Sequence, residues 1–217
     1  MRFTQALGVE RGVTAVIGSG GKSSLLDKLA SELRAEHRVL LCTTTHMFPA
    51  SGMRTLAEPD EAAIARVLDA EGAVCVGVPG EDGRLHAPGI PMSRLTALAD
   101  YIIVEADGSK RLPLKAHAAH EPVIPVEAGR TICVVGMSGL GRRVSETVHR
   151  PELFAPCDVP VTEELLASVL NREALADVYF LNQCDICGME RARKLAALLD
   201  RPSACGSIRE GTAVCLW

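Results

Sequence analysis

Short apolar runs alternate with amphipathic stretches along most of the chain. VTAVIG, beginning at Val13, leads into SSLLDKLASELRAE, RVLLC into the acid-capped EPDEAAIARVLDAEG, and VYFLN into CGMERARKLAALLD. AVCVGV, YIIVEAD and TICVVG are further runs of the same kind. Short runs that are apolar throughout suit strands covered on both faces, and their alternation with helical periods predicts an α/β fold with a mainly parallel sheet flanked by helices. In the first helical stretch Leu25, Leu26, Leu29 and Leu33 keep the 3.6-residue period, while Asp27, Lys28, Ser31, Glu32 and Arg34 take the wet side. Thr162 before Glu163 and Glu164 predicts an N-cap for the helix EELLASVLN. Asp82 and Gly83 mark a tight hairpin turn.

With 217 residues, the chain is expected to form a single domain over 1–217, carrying a small elaboration at about 58–100. Aromatic residues make up 3% of positions, so the core must be built from Leu, Val, Ile and Ala. A formal charge of −4 gives no general attraction to nucleic acid or to an anionic membrane, and neither is expected as a partner. Any anion site must therefore be local. Eight cysteines fall short of a disulfide scaffold, and the opening MRFTQALGVERG lacks the apolar core of a signal peptide. No apolar run reaches membrane-spanning length, and a reducing cytoplasm is the expected compartment.

The turn that follows the first strand carries the clearest chemistry. Gly18, Gly20 and Gly21 allow a tight turn with successive N–H groups facing an anion, with Ser19 between them; Lys22 adds a cation, and Ser23, followed by Ser24, can place a hydroxyl on Mg²⁺. The start of the following helix points its partial positive charge at the same spot. The spacing is shorter than G-x-x-x-x-G-K-[ST], because Val16 stands where the first glycine belongs; such shortened loops resemble those of the Mur-ligase group of P-loop proteins. The alternative is a flexible turn with a solvated Lys22.

In open α/β sheets ligands collect at the carboxyl ends of the strands. After RVLLC come Thr43, Thr44, Thr45 and His46, hydroxyls suited to a metal, a γ-phosphate or a positioned water, unless they simply continue the strand. After YIIV come Glu105 and Asp107, which share one face if the strand persists that far and could then hold the Mg²⁺ shell or orient water. Asn182-Gln183-Cys184-Asp185 resembles the N-K-x-D guanine-recognition motif, with Gln183 where the lysine stands; Asp185 as a plain helix cap is the alternative. Cys184 and Cys187 form one C-x-x-C without a second pair at zinc spacing. The proline-punctuated loop from Asp107 to Pro125 gathers Lys110, Arg111, Lys115, His117, His120 and Glu121, which could hold a second anionic substrate or the γ-phosphate. MSGLGRR, ending in Arg142 and Arg143, is a second glycine-flexed basic loop.

Taken in order, GSGGKSS, TTTHM, VEADGSKRLPLK, HEPVIP and NQCD resemble the YqeC family, accessory proteins of selenium-dependent molybdenum hydroxylases, over almost the whole chain. Ser23 and Ser24 stand where that family more often carries Thr, and His117 where proline is expected. The resemblance implies a cytoplasmic, P-loop NTPase-like three-layer sandwich that helps to mature or insert a selenium-containing molybdenum cofactor, with a molybdenum hydroxylase or cofactor-maturation proteins as partners. The leading expectation is an Mg²⁺-dependent ATP or GTP phosphohydrolase. Gly18 to Ser24 would cradle the phosphates, and Ser23 with Glu105 and Asp107 would ligate the metal. Lys22, Thr44, Thr45, Glu105 and Asp107 would act in catalysis, and Asn182 with Asp185 would read the base. Phosphoryl or nucleotidyl transfer to a small cofactor precursor, and an NTP-dependent chaperone that does not hydrolyse, are the alternatives.

Overall fold

The computed structural model describes residues 1–216. The apolar runs become strands β1 (Gly12–Gly18), β2 (Val39–Thr43), β3 (Arg54–Ala57), β4 (Ala73–Pro79), β5 (Tyr101–Glu105), β6 (Ala128–Gly136), β7 (Val178–Asn182), β8 (Ser203–Ser207) and β9 (Thr212–Cys215). In space they lie in the order β9-β8-β7-β6-β1-β5-β2-β4-β3, and every neighbouring pair is parallel except β8 with β9. Two short antiparallel pieces, Leu85–His86 and His46–Met47, extend the sheet beyond the carboxyl end of β4. The main helices are α1 (Lys22–Leu33), α2 (Glu61–Glu71), α3 (Glu163–Glu173) and α4 (Met189–Ala196).

Alternation along the strands divides the core into layers. Val16, Ile132, Val134 and Phe180 face α1 and meet its Leu25, Leu26, Leu29 and Leu33. Ala15, Ile17, Val135 and Leu181 face the other way, toward Leu166 and Leu170 of α3 and Ala192 and Leu195 of α4. Farther along that second face, Ile64, Val67 and Leu68 of α2 cover Leu40, Val74, Ile102 and Val104. The result is helix, sheet and helix in three layers. With few aromatic side chains present, Phe3 against Phe180, edge-on at 5.5 Å between centroids, is the one Phe–Phe pair among the described residues.

Local chemistry sets the helix starts. Thr162 Oγ1 accepts the Leu165 N–H at 3.2 Å, and Asp60 accepts from Ala63 in the same way at the head of α2. The turn holding Asp82 and Gly83 closes a hairpin between β4 and Leu85–His86, with Gly80 N–H donating to the Arg84 carbonyl. Within residues 58–100, α2 and β4 join the helix and sheet layers while this hairpin arm projects from them.

Two expectations are corrected. The strand ending in YIIVE stops at Glu105, with the Ala106 N–H making the last ladder bond to the Val16 carbonyl; it does not persist through Asp107, although both carboxylates reach Lys22. The helical stretch after β7 is also split. Cys184–Cys187 forms one turn, and Gly188, at φ 84°, breaks it from α4.

Leu29 is fully buried between α1 and the sheet. Leu29→Ala is expected to lower the unfolding free energy by about 2–5 kcal/mol. Thr162→Ala, which removes only a cap, should lower it by about 1 kcal/mol. Urea denaturation of the two variants beside the parent checks both the sizes and the order.

Candidate functional site

Because the strands run parallel, their carboxyl ends gather on one rim. Register sets Val16 beside Glu105, Thr43 beside Glu105, Gly18 beside Val134 and Asn182 beside Gly136, so the segments quoted above converge there. The loop Gly18–Gly21 needs its glycines. At Gly20 the backbone has φ 85°, and a Cβ would lie 2.6 Å from the Gly136 nitrogen and 2.8 Å from the Pro113 oxygen, so no other residue fits. Ser19 Oγ donates to the Leu112 carbonyl, which fastens the loop on its other side. Gly20 to Ser24 then line a cleft of about 360 Å³ together with Glu105, Ser109, Arg111, Ser138, Arg142 and Gln183.

At the base of the cleft lies a buried charge cluster. Lys22 is 4% exposed, and its Nζ donates to the Gly18 carbonyl at 2.8 Å while standing 3.1 Å from Asp107 and 3.8 Å from Glu105. Asp107 is wholly enclosed. Its Oδ2 accepts from the Gly18 N–H and from His117 Nε2, each at 2.9 Å, and pairs with Lys115 Nζ at 3.1 Å. Burial alone would raise the Asp107 pKa, but Lys22, His117 and Lys115 outweigh it and hold the carboxyl well below the usual range. For Glu105 the balance runs the other way: burial pushes its pKa up against the pull of Lys22 and of Ser23 Oγ, which donates to it at 3.0 Å. His117 is clamped between Asp107 and Glu173, whose Oε2 is 2.7 Å from Nδ1. Burial opposes its charge, yet the two carboxylates win and raise its pKa.

The remaining residues divide by task. Thr43 Oγ1 donates to the Glu105 carbonyl, and Thr44 Oγ1 to that of Val123, so these hydroxyls tie the loop to the sheet; Thr45 faces open space. Lys115 is buried and bridges Asp107 to Glu121, 3.0 Å away, with Arg150 on the far side of Glu121 at 2.6 Å. Lys110, Arg111 and His120 are exposed. The Asn182 amide donates to the Gly20 carbonyl at 2.8 Å and accepts the Ile208 N–H at 3.1 Å, linking the glycine loop Gly18–Gly21 to the segment after β8. Gln183 accepts from Ser138 Oγ at 2.7 Å. Asp185 is exposed on the turn beyond, outside the cleft walls. All eight cysteines are free. Ser138, Glu173 and Arg150 had no signal in the sequence, since each acts through a partner at least 29 positions away.

Among the described residues, no three His, Cys, Asp or Glu side chains form a metal cage. Mg²⁺ bound with a nucleotide needs only one or two protein oxygens besides phosphates and water. Ser23 Oγ and Glu105 Oε2, adjacent at the cleft wall, are suitable donors for it. No helix among the described residues is long and apolar enough to cross a membrane.

The raised His117 pKa has a consequence for stability. Its contribution is complete below the unfolded-state value of about 6.5 and is lost as pH rises through the folded-state value. The stability advantage of the parent over His117→Gln should therefore be largest in mild acid and shrink toward alkaline pH. Urea midpoints across that range check it; an advantage that grows with pH would refute the clamp.

Comparison with known proteins adds kinship to this geometry. An Escherichia coli (strain K12) relative described as "Uncharacterized protein YqeC" is 40% identical over 153 residues, which cover 66% of this chain and 59% of the relative. The chain thus spans about 59% of the length of the curated relative it matches. The family profile described as YqeC protein matches residues 14–152, from within β1 past the charge cluster and the loop that encloses it. The chain belongs to the YqeC family.

Proposed function

We propose that the chain binds a nucleoside triphosphate, ATP or GTP, with Mg²⁺ at the cleft beside Gly20–Ser24, and hydrolyses it. The observation that carries this reading is the sterically obligatory glycine turn with a lysine at its base, set at the carboxyl end of a central parallel strand. There, backbone N–H groups and the α1 terminus favour a polyanion. Lys22 supplies the cation, and Ser23 with Glu105 supplies the metal donors. Mg²⁺ would neutralise charge on the phosphate oxygens. Asp107 fixes Lys22 and the Gly18 N–H and stands one shell behind the phosphates. Thr45 borders the space where an attacking water would lie.

Asp185 remains the candidate for reading the base, because it is exposed and makes no ion pair among the described residues. Asn182 serves by holding Gly20 in place. The client process, maturation of a selenium-containing molybdenum cofactor or its hydroxylase, is taken from the family resemblance.

Titration with Mg·ATP and Mg·GTP, followed by product analysis, tests the reading. Lys22→Ala is expected to weaken binding by about a hundredfold or more, roughly 3 kcal/mol. It also strips Asp107 of a cation, so Ser23→Ala is the companion variant, with about a tenfold loss only when Mg²⁺ is present. Undiminished binding in both would sink the proposal. If Asp185 reads guanine, Asp185→Asn should remove any preference for GTP over ATP.

A further inference from the structure

A second, larger chamber of about 920 Å³ opens beside the phosphate cleft, and the two share Ser23, Glu105, Ser109 and Arg111 as a common wall. We propose that this chamber binds a second ligand next to the nucleotide, a small phosphomonoester whose dianionic group is held by Lys110 and Arg111.

The charge balance of the walls points to an anion. Arg84 is matched by Asp82 at 2.6 Å, and Arg150 by Glu121 at 2.6 Å. Lys110 and Arg111 have no carboxylate partner among the described residues, and both border the chamber. They are also consecutive non-glycine residues in the left-handed region, at φ 48° and 62°, a strained arrangement of the kind that persists where function fixes the backbone. The strain holds two adjacent cations at one edge of the space. His46 and His149 complete the lining. Burial and the nearby Arg84 depress the first, and burial and the nearby Lys115 depress the second, so both are neutral near pH 7 and offer hydrogen bonds without charge.

Size and surface point to an organic body behind that anion. The chamber is far larger than an inorganic phosphate requires, and Phe48, 44% exposed, presents its ring there with the Arg111 guanidinium 5.0 Å from the centroid. A ligand seated on Phe48 with its phosphate on Lys110 and Arg111 would lie directly across Ser23 and Glu105 from the nucleotide's terminal phosphate. The inference extends the nucleotide reading above and is tested so that the two can fail separately.

Phenyl phosphate serves as the probe, titrated calorimetrically into the full chain, first alone and then with the nucleotide cleft saturated by a non-hydrolysable Mg·NTP analogue. Binding is expected in both cases, with affinities within about threefold of each other. Lys110→Gly and Arg111→Gly are each expected to weaken it by roughly tenfold, the loss of one charge-assisted contact. Glycine suits both backbone conformations, so melting temperatures no lower than the parent's should show intact folds. Absence of phenyl phosphate binding to the parent, or an affinity in both variants unchanged from the parent's, overturns the proposal. Displacement by the analogue also overturns it, and would assign the two cations to the nucleotide's own terminal phosphate. Should no nucleotide bind the parent chain, the function proposed above fails while the first titration and the two variants still decide the chamber.

Discussion

Asp107 has no solvent contact, and three cations and a backbone amide converge on its carboxylate. Those partners come from different parts of the fold. Gly18 ends β1, Lys22 begins α1, Lys115 and His117 belong to the long loop after β5, and His117 in turn holds Glu173 of α3. A buried carboxylate is tolerated only when its charge and lone pairs are met, and removing one partner costs far more than the pair itself contributes. This requirement therefore locks the glycine loop, the first helix and the loop that covers them into one arrangement. The glycine turn sets the backbone of the cleft, while the carboxylate sets where its cation stands.

The sheet was legible because its signal is local. Three or four apolar residues in a row mark a strand covered on both faces, as in β1, β2, β5, β6 and β7, and the leucine stripe of α1 marks its buried side. The carboxyl-end rule then gathered Gly18, Thr43, Glu105 and Asn182 on one rim without any knowledge of strand order. The roles of Asp107, Lys115 and His117 were not legible. Period-two reasoning carried Asp107 along the strand, whereas the strand ends at Glu105 and Asp107 lies past it. Lys115 and His117 read as members of a basic loop that could hold an anionic substrate, since nothing in DGSKRLPLKAHAAHEPVIP says which of its cations turn inward. That choice depends on where Asp107, Glu121 and Glu173 lie, a tertiary fact. Phe48 and Arg84 likewise meet only because Leu85–His86 folds back on His46–Met47.

The same topology explains why the two spaces on the rim adjoin. β5 lies between β1 and β2, so Glu105 meets Ser23 after the glycine loop through its carboxylate and Thr43 through its backbone carbonyl. Ser23 and Glu105 therefore form a wall common to both spaces. The covering loop contributes to both, with Arg111 on the shared wall and Lys110 set back from it.

Redundancy around Asp107 has a mechanical meaning for Lys22. In the arrangement described, the lysine folds inward onto Gly18 and the carboxylates. Were it drawn outward, Lys115 and His117 would still face Asp107, whereas Glu105 would lose the cation beside it. The cost of moving the ammonium group thus falls on Glu105 and on the Gly18 carbonyl rather than on Asp107.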